Sequence, residues 1–262
     1  MVITALLNGP IGRFLRPLAP LGTILLFLIG VSLLWQAIMV TFSIKTYFMP
    51  YPGATWLALI VQWPTIWKNL SHTLLEGLVG LVISVVLATA VAGLSVNSRT
   101  FRRATMPFAI AVRSIPIVAI APLITLIVGR GFSTAVMVVV LATFFPFFVN
   151  AMRGFQDTRQ TMLELAYVYG ATRWQTFFLI RFVFALPHLF SGLRTAAPVA
   201  ILGAMLAEWL TGSAGIGYLI LDSAASRELE LLWASILIST IVAMLVFWLT
   251  AAAERALLRR TT

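Results

Sequence analysis

The sequence predicts an all-α membrane protein with six transmembrane helices and one short cytoplasmic helical insert. Three observations lead there. Of 262 residues, 61% are hydrophobic and only 10% are charged, against about 25% charged in a soluble domain. A chain so poor in charge cannot coat a globule with water-binding groups, so its solvent is lipid. Apolar runs near the length of about 20 residues that a spanning helix needs recur six times. Arginine and lysine gather in alternate loops, as the positive-inside rule requires.

The first run, residues 21–42, follows Arg13 and Arg16 as a signal peptide would. It is too long for a signal h-region and no A-x-A site follows promptly, so it reads as an uncleaved span. The other runs are residues 74–96, 107–128, 134–151, 189–210 and 231–252. Before the fifth lies a further apolar stretch, residues 176–186, ending at Pro187. It reads as a tilted or interfacial lead-in kinked at the proline, which lacks a backbone donor. The expected organisation is a tail (1–20), one six-helix domain (21–253) and a second tail (254–262).

Orientation follows from the cations. Arg13, Arg16, Arg99, Arg102, Arg103, Arg153, Arg159, Arg173, Arg255, Arg259 and Arg260 fall in one set of loops. Lys45, Lys68, Arg130 and Arg227 fall in the other. The richer set belongs inside. Both termini and residues 97–106 and 152–175 are then cytoplasmic, and residues 43–73, 129–133 and 211–230 are outside. The net charge of +10 is accounted for by this bias and by anionic lipid, without nucleic acid. There are no cysteines, hence no disulfide framework and no thiolate metal site. His72 and His188 are far apart and lack metal-ligand spacing. No nucleophile–base pair appears, so a membrane enzyme is disfavoured.

The insert is "LELAYVYGATRWQTF", residues 163–177. Leu163, Ala166, Tyr167 and Gly170 fall on one helical face. Gly170 can stop the helix by taking the left-handed conformation, and Thr172 can cap the next one, leading through Trp174 toward the membrane. The product is a helix, a sharp turn and another helix. It is either a knob made for a socket or a helix lying flat on the bilayer.

Within the spans, Pro107, Pro116, Pro122, Pro146, Pro187 and Pro198 interrupt the apolar pattern. Broken helices are tolerated where freed backbone groups are buried in protein or face water, so these prolines serve a lined cavity or packing kinks. Gly77, Gly80 and Gly93 suit close helix approach. Arg113, Arg194 and Glu208 are the clearly intramembrane charges, which marks them as functional candidates. The two arginines either snorkel to the surface or act on a solute or gate. Arg194 and Glu208 lie about 21 Å apart along a straight helix, so Glu208 needs another partner. The glycine-rich stretch Gly212, Gly215 and Gly217 that follows can offer it backbone N–H groups. Glu208 is thus expected to organise an outer loop rather than to bind solute.

The residues also resemble a known family. "ELAYVYGA", with the run to "ALP" at 185–187, resembles the EAA loop of permease subunits of bacterial ABC importers. Glu164, Ala166 and Gly170 match its spacing, with Leu165 in place of the middle alanine. The family's first Leu-Pro would fall at Phe182–Val183 and is absent; Leu186–Pro187 matches the second. "YFMPYPGATW", "NLSHTLLEGLVGLVIS", "VRSIPIVAIAPLI" and "SGLRTAAPVAILGAMLAEWLTGSAGIGYLI" are similar, in the same order, to segments of the sulfonate, taurine and nitrate importers.

The resemblance implies the transmembrane domain of a type I importer, with an EAA-type coupling helix. Glu164, Leu165, Ala166, Gly170, Ala171 and Arg173 are then the ATPase-coupling residues. Arg113, Ser114, Pro116, Arg194, Glu208, Gly215 and Gly217 line the path or gate, and Pro187 marks a kink. The implied partners are cytoplasmic ATP-binding subunits, a second permease subunit, an extracytoplasmic solute-binding protein and the bilayer of the bacterial inner membrane. ATP and Mg belong to the ATPase, since no G-x-x-x-x-G-K-[ST] occurs here, and this chain is expected to bind no cofactor or metal. The solute is a small anion such as a sulfonate, taurine or nitrate, or a vitamin-related heterocycle. The alternative, a self-contained secondary carrier or channel, predicts hydropathy symmetry between halves, which the chain lacks.

Overall fold

The computed structural model describes residues 19–114, 116–211 and 214–261. The tail carrying Arg13 and Arg16, and Gly212 of the glycine stretch, lie outside the described residues. The side chains of Arg99, Arg113, Ser114, Arg259 and Arg260 do too. Every regular element among the described residues is helical. The chain divides into two compact units between Val61 and Gln62.

The first unit holds α1 (Ala19–Thr41) and α2 (Pro52–Val61). Proline suits the first position of α2, where an N–H has no intrahelical partner. Trp56 Nε1 donates to Ser32 Oγ at 3.3 Å and ties α2 to α1.

The second unit holds α3 (Trp63–Asn97), α4 (Arg99–Ser114), α5 (Ile117–Val128) and α6 (Phe132–Gln156). The short α7 (Gln160–Val168) and α8 (Arg173–Gln175) follow, then a π-helical segment over Thr176–Arg181. The unit ends with α9 (Phe182–Thr211), α10 (Ile216–Ala225) and α11 (Leu229–Thr261). α6 packs against both α3 and α9, and α9 packs against α11. Alanines 88, 92, 185, 196, 197, 200 and 204 and the rings of Phe147, Phe148 and Phe155 fill the core. The small residues let backbones approach. A Cβ at Gly80 would sit 2.6 Å from Val139 Cβ, as the sequence expectation of close approach requires.

Four described stretches are long and apolar enough to cross a membrane: Trp63–Asn97, Phe132–Gln156, Arg173–Thr211 and Leu229–Ala256. Three boundaries differ from those read in the sequence. Residues 43–73, expected as an outer loop, contain α2 and the start of α3, because Pro52 and Pro64 each open a helix. The third expected span is two helices, α4 and α5, with Pro116 capping the second. Proline has no N–H for the ladder and disfavours helical backbone in the residue before it. The lead-in and the fifth span form one continuous helical stretch that does not end at Pro187. Its irregularity is the π segment upstream. A proline inside a membrane helix is tolerated when neighbours satisfy the freed backbone.

Candidate functional site

Two sites carry the sequence-named residues. The first is the helix–turn–helix between α6 and α9. α7 closes with a doubly bonded turn. Gly170 N–H donates to the Tyr167 carbonyl at 3.0 Å, and Ala171 N–H to the Ala166 carbonyl at 2.9 Å. That pattern requires a left-handed residue after the helix, and Gly170 has φ +69°. α8 opens with a capping box. Thr172 Oγ1 accepts from Gln175 N–H at 3.3 Å, and Gln175 Oε1 accepts from Thr172 N–H at 2.8 Å. The sequence expected both the stop and the cap.

The base of this knob is clamped to the bundle. Arg181 Nη1 donates to the Phe155 carbonyl at 2.9 Å, across 26 residues. The carbonyls in the last turn of α6 have no intrahelical donor, and a cation there also meets the negative end of the helix dipole. Buried Thr158 bonds the same carbonyl, and the Phe155 and Phe177 rings lie 5.2 Å apart.

The tip is bare. Tyr167, Val168 and Tyr169 are 85%, 79% and 81% exposed, and Leu165 and Trp174 are also exposed. On α7 only Ala166 is buried. Of the helical face read from the sequence, Ala166 is buried and Leu163 half-buried, while Tyr167 and Gly170 are exposed and so available to a socket. Glu164 is exposed and accepts from Gln160 Nε2 at 3.3 Å. Arg173 is exposed and Ala171 half-buried.

The second site is the turn between α9 and α10. The first N–H groups of a helix lack intrahelical partners, and here three of them are taken by side chains. Gly215 N–H donates to Asn69 Oδ1 at 3.0 Å, Ile216 N–H to Thr73 Oγ1 at 2.9 Å, and Gly217 N–H to Glu208 Oε2 at 2.6 Å. Gly215 has φ +118°, and a Cβ there would collide with the Glu208 carboxyl group. Glu208 is wholly buried and finds in Gly217 the partner the sequence required.

Glu76 is buried beside Glu208. The expectation of Arg113, Arg194 and Glu208 as the intramembrane charges therefore omits Glu76, because α3 begins eleven residues earlier than the apolar run it was read from. Asn69, Thr73 and Glu76 repeat at helical spacing, a polar stripe that could have been found in the sequence. Glu76 and Glu208 lie within hydrogen-bonding reach of one another, and two carboxyl groups make that bond only with a proton between them. A carboxamide at position 76 keeps a donor toward Glu208, so Glu76→Gln is expected to leave the thermal midpoint in detergent unchanged or raised. Glu208→Ala strands the Gly217 N–H and is expected to lose about 1–3 kcal/mol. Equal midpoints for the two variants would show that the carboxyl groups are bystanders.

The remaining candidates do not converge. Arg194 Nη1 lies 3.0 Å from Glu254 Oε2 and its guanidinium 5.7 Å from the Phe247 ring, joining α9 to α11. Arg113 and Ser114 close α4, Pro116 caps α5, and Pro187 sits inside α9. Asn69, Thr73, Glu76, Arg181 and Glu254 were not singled out from the sequence. Their partners are mostly distant along the chain.

The comparisons with known proteins agree with this architecture. Residues 80–261 match the model of a family described as the binding-protein-dependent transport system inner membrane component. A probable ABC transporter permease protein of Haemophilus influenzae is 30% identical over 236 residues, 90% of this chain and 94% of that one. The riboflavin transport system permease protein RibX of Chloroflexus aurantiacus is 30% identical over 251 residues, covering 94% and 92%. Among solved structures, an inward-facing form of the MetNI methionine ABC transporter shares the fold. Its TM-score is 0.62 at 16% identity, over 76% of this chain and 97% of that one. The chain belongs to the binding-protein-dependent transport family, and it is a multi-pass inner-membrane permease subunit of an ABC importer, a membrane component rather than an enzyme.

Proposed function

We propose that this permease forms half of a solute path with a second permease subunit. A solute-binding protein delivers cargo from outside, and α7 docks into a groove of a cytoplasmic ATP-binding subunit. The observation that carries this reading is the knob itself. Its turn is doubly hydrogen-bonded, its second helix is capped, its base is bonded to α6, and the Tyr167–Tyr169 tip is largely exposed. An exposed patch of this kind marks a partner surface, and the rigid base can pass motion on to α6 and α9. Both termini are inside, and the α9–α10 turn, held by Glu208, forms part of the outer gate. The solute is an anion of the sulfonate, taurine or nitrate kind or a vitamin-related heterocycle.

Affinity purification of the chain from its own membranes should bring down an ATP-binding subunit in stoichiometric amount; a chain that purifies alone and transports unaided would be a self-contained carrier. Orientation is read separately. The chain has no native cysteine, so an impermeant thiol reagent on intact cells should label a cysteine at exposed Ser43 or Ser226 and spare one at exposed Ser98 or Gln160. The opposite pattern would invert the topology.

A further inference from the structure

At the junction of α3, α9 and α10 two carboxyl groups are buried against each other. Glu76 on α3 is 3% exposed and Glu208 on α9 is 0% exposed. The Glu208 carboxyl group lies directly against the Gly215 backbone, and its Oε2 accepts from Gly217 N–H. Among the described residues, no N–H or hydroxyl donates to Glu208 Oε1 or Glu76 Oε2. Each group thus keeps one buried oxygen without a donor, and the two groups lie within hydrogen-bonding reach of one another. The neighbouring polar groups are already committed. The Thr73 hydroxyl donates to the Asn69 carbonyl at 3.3 Å and accepts from Ile216 N–H. Asn69 Oδ1 accepts from Gly215 N–H, and its Nδ2 donates to the Thr65 carbonyl at 2.9 Å.

One proton resolves both shortfalls. Shared between the two groups, it gives each a partner and removes one of two like charges from a buried place. A divalent cation fits poorly, since calcium and magnesium take six or more oxygens and the acceptors of Asn69 and Thr73 already serve N–H groups. The titratable groups near this end of the packed elements are Lys68 and His72 on α3, Tyr218 and Asp222 on α10, and Glu230 on α11. His72, one turn before Glu76, is the one that acts on Glu208. Arg194 lies about 21 Å back along α9, paired with Glu254. The charge on α6 is Arg153 in its last turn, α5 has none, and the arginines of α4 follow the other end of α3.

Through Gly217 the pair is bonded to the first turn of α10, so the proton and the seating of α10 are linked. With the turn open, both carboxyl groups meet water and ionise near their ordinary value, about 4.3. Above that value closing takes up one proton, so the closed turn is favoured at low pH and loses ground as pH rises. We propose that a proton shared by Glu76 and Glu208 latches α10 against α3 and α9, making the outer turn a proton-operated element of the permease. The inference rests on the reading of this turn as part of the outer gate and adds what releases it.

The test uses the full chain purified with its ATP-binding subunit in lipid nanodiscs. The chain has no cysteine. Ser223→Cys places one thiol on α10 at a position 2% exposed, and Ser226→Cys places one at an exposed position just beyond it. The ratio of their rates of modification by a small thiol reagent reports the unseating of α10, because thiol ionisation cancels. From about pH 6 to about pH 8 the ratio should rise at least about tenfold, since one proton shifts an equilibrium by up to about tenfold per pH unit. Glu76→Gln supplies a donor that does not titrate, so its ratio should stay flat. Should that variant fail to fold, Glu208→Gln, which keeps an acceptor for Gly217, gives the same reading. His72→Gln should keep the full response. A flat parent ratio, a response that survives Glu76→Gln, or one that disappears with His72→Gln overturns the proposal. Uptake by intact cells reads the gate separately. If the labelling behaves as expected while parent and Glu76→Gln chains show the same dependence of uptake on external pH, it is the gate reading that fails and the latch stands.

Discussion

Gly217→Ala is expected to prevent the turn between α9 and α10 from closing, and so to have the largest effect on the folded chain. A Cβ at this position would collide with the carbonyl oxygen of Met205 and come within 2.8 Å and 2.9 Å of that residue's backbone carbons. Backbone inside a packed helix cannot swing aside as a side chain can. Overpacking of this kind costs about 1–3 kcal/mol and more where nothing yields. The displaced α10 would also lose the Gly217–Glu208 hydrogen bond, leaving a buried carboxyl group without its donor. Lower yield and a lower thermal midpoint in detergent should follow. Gly53→Ala is the control, since nothing lies within 4 Å of its added Cβ. Equal midpoints for the two variants would mean that α9 and α10 are not packed as described.

Gly170→Asp is expected to leave the chain folded and inserted while abolishing transport. Nothing lies within 4 Å of a Cβ at Gly170, so the substitution meets no clash. Its cost is the left-handed backbone at φ +69°, on the order of 1–2 kcal/mol for a residue with a Cβ. That is enough to open the turn, which re-aims the tip without melting the bundle. Asparagine tolerates this conformation about as well as aspartate does, so recovery by Gly170→Asn would assign the loss to the added negative charge, and no recovery would assign it to the backbone. Tyr167→Asp tests the tip itself. Removing a central aromatic contact typically costs about 2 kcal/mol or more, so ATPase binding should weaken by at least about tenfold. Uptake at parental rates by both Gly170→Asp and Tyr167→Asp would show that α7 rests on the bilayer and drives nothing.

What the sequence made legible was local. Gly170 and Thr172 could be read as stop and cap because the bonds they enable span only a few residues. The apolar runs were visible because lipid selects composition directly. What could not be read depends on partners far along the chain. Asn69 and Thr73 meet residues 146 and 143 positions away, and no local pattern says that a polar stripe on one helix will cap another. The same holds for Arg181, whose acceptor is a carbonyl exposed only because α6 ends at Gln156. For Tyr167, periodicity shows which residues share its face, but not whether the chain itself covers that face, and it does not.

The π-helical turn at Thr176–Arg181 has a consequence for how the chain tolerates editing. A π turn takes up one more residue than an α turn in about the same arc, so the sequence phase shifts by one residue across it while its two flanks stay aligned. Deleting one residue there would let the turn relax into the ordinary ladder with both flanks near their present bearings, whereas the same deletion from a plain α turn would rotate everything upstream by about 100° about the helix axis. Trp174, stacked on Phe178 at 5.8 Å, and the knob beyond it would keep their side of the rod in the first case and lose it in the second. The segment thus acts as a slack link, able to give up one residue without turning the compass bearing at which the knob leaves the bundle.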